Sequence, residues 1–156
     1  MKIAGVLIFV FGGLAFLGKR WAYALFVLLS LAYIPARTGF QLQWPHCEGV
    51  PSLALAAFSL NNYAHIVLFA LFFLVTVIQF PVRGGSALAW SALSTLVMGV
   101  FVELLEGATQ TGHCRLRDLV PDTAAAALGT VIVMGFQRGL DLMSSRSNGE
   151  RKQPEL

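Results

Sequence analysis

Apolar residues along this 156-residue chain fall in long blocks, separated by short stretches where charge, proline and glycine collect. Ile3 to Leu17 forms the first block and Gly18-Lys19-Arg20 ends it; Trp21 to Ile34 forms the second, closed by Pro35 and Arg37. Each is short against the roughly 20 apolar residues that cross a bilayer core. A mixed loop over 36–61 follows, containing Trp44-Pro45-His46-Cys47-Glu48 and the apolar run Leu53 to Leu60. That run is too short to span and predicts an interfacial or re-entrant piece. Asn62 to Phe80 is the third block, Ser86 to about Leu105 the fourth, and Pro121 to about Phe136 the fifth. Between the third and fourth, Pro81-Val82-Arg83-Gly84-Gly85 reads as a turn, because proline and glycine stop one helix before the next begins.

The pattern predicts an all-α fold: an integral membrane helical bundle with about five transmembrane helices over residues 1–137. The polar stretch 138–156, rich in Ser, Arg and Gly, is expected to be a disordered cytoplasmic tail. A cleaved signal peptide is the rival reading of the first block, with Ala22-Tyr23-Ala24 resembling a cleavage site. The Lys19-Arg20 pair lies between that block and the site, and a second apolar block follows at once, which favours a retained helical hairpin.

Composition strengthens the membrane reading, with 56% hydrophobic and only 12% charged residues and a mean hydropathy of +0.71. The net charge of +3 does not point to nucleic acid, because lysine and arginine lie mostly between and after the apolar blocks. There they orient membrane segments. Placing the Lys19-Arg20 turn in the cytoplasm puts seven of the eleven cations on that side. The resulting expectation is a multi-pass protein of the inner (plasma) membrane, N-terminus out and C-terminus cytoplasmic. No Gly-rich phosphate loop, CxxC pair or HExxH is present, and Cys47 and Cys114 are too few for a zinc site by themselves. No metal and no cofactor is read from the sequence, and the expected partners are membrane lipids.

Half of the eight acidic residues crowd between the last two blocks, as Glu103, Glu106, Asp118 and Asp122, with Arg115 among them. An ionisable group in or beside a bilayer is expensive and marks function by default. Glu103, Glu106 and Gln110 are spaced to share one helix face near the outer end of the fourth block. Asp118 and Asp122 share a face where the fifth begins; Asp118 there also suits a helix N-cap, with Pro121 in the first turn. Arg115 and Arg117 fit lipid phosphates at the interface, and Arg115 equally fits a carboxylate partner in Glu106, Asp118 or Asp122. His65, one turn into the third block, is either a packing residue or a member of the site. His46 and His113 are weaker loop signals. Cys47 and Cys114 fall on the same expected outer side, where an oxidising compartment permits a disulfide, two free thiols being the alternative.

These residues carry a family resemblance. Asn62-Tyr63-Ala64-His65 looks like a Lys-x-x-His opening, followed by Glu103-Leu104-Leu105-Glu106, Gln110, Arg115-x-x-Asp118, Asp122 and Gly129. The pattern, over residues 60–135, resembles the VanZ-like membrane proteins. Asn62 stands where that family has lysine, Asp122 where it has asparagine, and Ala125 where it has the first glycine of the last helix. The resemblance implies a small polytopic protein of the bacterial cell envelope, in a family named for low-level resistance to the glycopeptide teicoplanin. Three functions are open: binding of an anionic lipid-linked glycan or lipoglycopeptide at the charged site, acid–base chemistry on an envelope lipid, or a structural or transport role. No nucleophile stands with its base at fixed spacing, so binding is preferred over an enzyme.

Overall fold

A computed structural model describes residues 2–49, 52–80 and 84–150. The chain is a helical bundle: α1 (Lys2–Phe16), α2 (Arg20–Ala36), α3 (Leu53–Ser59), α4 (Tyr63–Gln79), α5 (Gly85–Thr109) and α6 (Leu119–Glu150), with a single 3-10 turn at Leu116–Asp118. Among the described residues the only β feature is an isolated bridge between Cys47 and Cys114.

Local chemistry sets the breaks. Gly18, at φ +78°, takes the left-handed conformation that ends α1, and the N–H groups of Gly18 and Lys19 close on the carbonyls of Ala15 and Leu14 at 2.8 and 3.2 Å. Ser52 caps α3 by accepting the Leu55 N–H, and Asn62 caps α4 by accepting that of His65. The two helices meet at a bend of 70°, so the run Leu53–Leu60 forms a short helix turned away from α4. Gly84, at φ +110°, precedes α5. Pro81, Val82 and Arg83 of the expected turn lie outside the described residues.

Helices α4, α5 and α6 pack against one another, and glycine sets their spacing at two places. A Cβ on Gly129 of α6 would collide with the ring of Phe73, which is completely buried on α4. A Cβ on Gly99 of α5 would collide with the Asp122 carboxylate of α6. The inward face of α5 is a stripe at i, i+4 spacing: Ser91, Thr95, Gly99 and Glu103. The Ser91 and Thr95 hydroxyls donate to the carbonyls of Ala87 and Ser91, each at 2.8 Å, which satisfies them without a partner on another helix. Around this seam lie Phe69, Ala70, Phe72, Met98 and Ala125, with Phe26, Val27 and Leu31 of α2 covering them.

The α1–α2 hairpin packs on the outside of α4 and α5. Two polar ties reach it: Tyr23 Oη to Thr76 Oγ1 at 3.0 Å, and Gln79 Nε2 donating to Ala15 O at 2.7 Å.

Large apolar side chains cover the outside, with Phe9 84% and Val131 68% exposed, a surface that lipid would accept and water would not. By length and composition two helices are long and apolar enough to cross a membrane, and a third if the bent α3–α4 pair counts as one span. That is fewer than the five expected. The shortfall lies in α1 and α2, whose 15 and 17 residues reach about 23–26 Å against a hydrocarbon core of about 30 Å. Helix α6 continues past Phe136 to Glu150, through much of the stretch expected as a tail, of which residues 151–156 lie outside the described residues. Loss of hydrophobicity marks where a helix would leave an apolar layer, and it does not by itself end the helix. Gln, Arg, Leu and Met are all good helix formers.

Candidate functional site

Asp122 is the centre of the arrangement. It lies in the first turn of α6 with no exposed surface, and its Oδ1 is 3.3 Å from His65 Nδ1 on α4. With Nδ1 donating, the imidazole is oriented by a carboxylate and Nε2 is left for another group. The His65 ring also stacks on Phe69, centroids 5.8 Å apart, which fixes its plane. The second carboxylate oxygen, Oδ2, is buried beside Gly99 and has no hydrogen-bond partner among the described residues. A buried polar atom left in this way costs about 1–3 kcal/mol. It is tolerated at sites with a task other than packing.

Glu103, one turn outward from Gly99, is also buried. Its Oε2 accepts the backbone N–H of Arg115 at 2.7 Å, so one carboxylate ties α5 to the segment that starts the 3-10 turn. Glu106 is part-buried, and its carboxylate lies against Gly112, where a Cβ would clash. Together with His65 it lines a cavity of about 300 Å³ whose other walls include Ser30, Phe26, Phe72 and Met98. Two ionisable side chains from different helices therefore border an otherwise nearly apolar space.

The remaining expected residues are placed differently. Gln110 does not continue the face of Glu103 and Glu106: α5 ends at Thr109, and Gln110, at φ +54°, turns the chain left-handed. Its exposed amide donates to Gln43 Oε1 at 2.8 Å. Arg115 pairs with none of the three carboxylates expected for it. Its Nε is 3.4 Å from Glu48 Oε1, and Arg117 Nε approaches the other oxygen of Glu48 at 3.9 Å. Two guanidinium groups thus share one half-exposed carboxylate. Asp118 closes the 3-10 turn, its N–H donating to Arg115 O at 2.9 Å. It lines a cavity of about 310 Å³ with Arg115, Arg117, Asn61 and Asn62.

The loop that supplies Glu48 is anchored. Cys47 and Cys114 form a disulfide with Cα atoms 4.5 Å apart. Glu48 N–H donates to Cys114 O at 2.8 Å, and Gln43 N–H to Ala108 O at 2.7 Å. The Ser59 hydroxyl, buried at the end of α3, lies 2.9 Å from Arg117 O and 2.6 Å from Ala56 O, sharing its one proton between them.

Glu48, Gly99 and Ser59 were not singled out from sequence. Glu48 is the only acidic residue of the 36–61 loop, and Gly99 falls one turn from Glu103; those were the available signals. Compared with known families, characterised proteins and solved structures, the chain matches none of them.

Proposed function

We propose that this chain is a multi-pass protein of the bacterial cell envelope that binds an amphipathic lipid-linked ligand from within the membrane. The observation that carries the reading is the cavity bordered by His65 and Glu106: an apolar chain fits its walls, and a polar headgroup meets the two ionisable groups at its edge. In this reading α1 and α2 also cross, giving five passes with the disulfide-linked end outside the cytoplasm, where such a bond persists. The short α1–α2 hairpin is then accommodated by local thinning of the bilayer. The resemblance to VanZ-like proteins belongs to the same proposal and makes teicoplanin susceptibility the phenotype to assay.

The test is lipid retention by purified protein in nanodiscs, read by native mass spectrometry. Ser30→Phe and Ile8→Trp, which fill the cavity from α2 and α1, should each reduce retention about tenfold. Asp122→Ala should do so as well, by releasing His65. Retention unchanged in all three variants would remove the binding site from this cavity.

The His65–Asp122 pair favours a second reading, acid–base chemistry on the bound lipid, because a buried carboxylate is how an imidazole base is held in one orientation. A new product formed from envelope lipids, lost in His65→Gln while lipid retention persists, selects this reading. Retention without product in the unmodified protein selects binding.

A further inference from the structure

Beside the lipid cavity lies a second one of different chemistry. Its volume is about 600 Å³, and its walls include Gln43, Trp44, His46, Gln110, Thr111 and His113. No Asp, Glu, Lys or Arg lines it, although Glu48, Arg115 and Arg117 lie close by. An anionic ligand would be drawn instead to the guanidinium groups of the neighbouring cavity. Its polar groups come as mixed donors and acceptors. Gln110 Nε2 donates to Gln43 Oε1, which leaves the Gln43 amide N–H groups and the Gln110 carbonyl to face a ligand. His46 Nδ1 is 3.1 Å from Trp44 O, so Nδ1–H donates there and Nε2 is left for a ligand. The Trp44 indole is 85% exposed although its loop is pinned by the disulfide and two backbone hydrogen bonds. An aromatic face on a pinned loop, beside amides and imidazoles, matches a sugar ring, whose C–H face stacks and whose hydroxyls both donate and accept.

We propose that this cavity binds the uncharged saccharide part of the lipid-linked ligand, so that the ligand is a neutral glycolipid. Glu106 joins the two spaces. It lines the lipid cavity, and its carboxylate contacts Gly112, which lines the saccharide cavity. The proposal rests on the lipid reading above for the chain, while the saccharide contacts are its own.

The experiment uses phosphatidylglycerol nanodiscs into which either dioleoylglycerol or diglucosyl-dioleoylglycerol is titrated, with occupancy read by native mass spectrometry. The diglucosyl lipid should bind about tenfold tighter than the plain one. Trp44→Ala and Gln43→Ala should each abolish that advantage and leave dioleoylglycerol retention as it was, and Trp44→Phe should keep most of it. Equal binding of the two lipids, with Ser30→Phe expelling both, overturns the saccharide cavity and leaves the lipid cavity standing. A Trp44-dependent advantage that survives alongside unchanged retention in Ser30→Phe does the reverse. Trp44→Ala weakening both lipids equally makes Trp44 an interfacial anchor and overturns the proposal.

Discussion

The α4–α5–α6 seam and the α1–α2 hairpin are built from similar apolar sequence, yet they hold together differently. In the seam, glycines bring helices into contact and ionisable groups are buried among them: Gly129 against Phe73, Gly99 against Asp122, and Glu103 on the Arg115 N–H. In the hairpin no ionisable side chain is buried among the described residues, and Gly5 and Gly13 meet nothing within 4 Å. Lipid tails are as apolar as leucine, so apolar surface alone gives helices little reason to associate in a bilayer. Close packing and hydrogen bonds supply it. The seam therefore defines the site, while the hairpin covers it and contributes Ile8, Phe26 and Ser30 to a cavity wall.

The largest way to break this contrast is to add side-chain volume to one glycine in each region. Gly99→Val should expel the Asp122 carboxylate and destabilise the fold by about 3 kcal/mol. Gly13→Ala should be neutral or slightly stabilising, because alanine is the better helix former by about 0.8–1 kcal/mol and nothing obstructs its methyl. Unfolding in mixed micelles, followed by circular dichroism, compares the two. Equal losses would mean that the seam is packed no more tightly than the hairpin.

That asymmetry was only partly legible in the sequence. Apolar blocks located α1, α2, α4 and α5 to within a few residues, since a run of apolar residues bounded by Gly, Pro or charge has few other solutions. They could not place the end of α6, because polar residues after Phe136 continue a helix as well as they continue a coil. At the site, helical spacing grouped Glu103 with Glu106, but the left-handed Gln110 broke the face it was expected to extend. Neither the pairing of Arg115 with Glu48 nor the seat of Asp122 over Gly99 follows from local spacing. Each joins elements far apart in the chain, and several carboxylates were equally good candidates for Arg115.

A comparable effect should come from the disulfide, which fixes the loop carrying Glu48 and Trp44 over the end of the seam. Cross-linking residues 67 apart restricts the unfolded chain. Removing the bond by the double change Cys47→Ser and Cys114→Ser should cost about 2–4 kcal/mol. If the loop only decorates the bundle, thermal unfolding with and without reductant will coincide. If it organises the charged end, reductant will lower the midpoint of the unmodified protein and leave that of the double variant alone.

The finest test concerns the hairpin's own attachment. Tyr23 Oη to Thr76 Oγ1 joins α2 to α4, and Thr76 Oγ1 already lies 2.7 Å from Phe72 O, where its proton goes. Tyr23 is therefore the donor across the interface, and Tyr23→Phe removes that donor while Thr76 stays satisfied. Hydrogen bonds between membrane helices are worth about 0.6 kcal/mol on average, so the expected loss is of that order. The same unfolding assay reads it. A loss as large as that of Gly99→Val would show the hairpin to be keyed to the seam by polar contact, and the division between a defined site and a covering pair of helices would no longer hold.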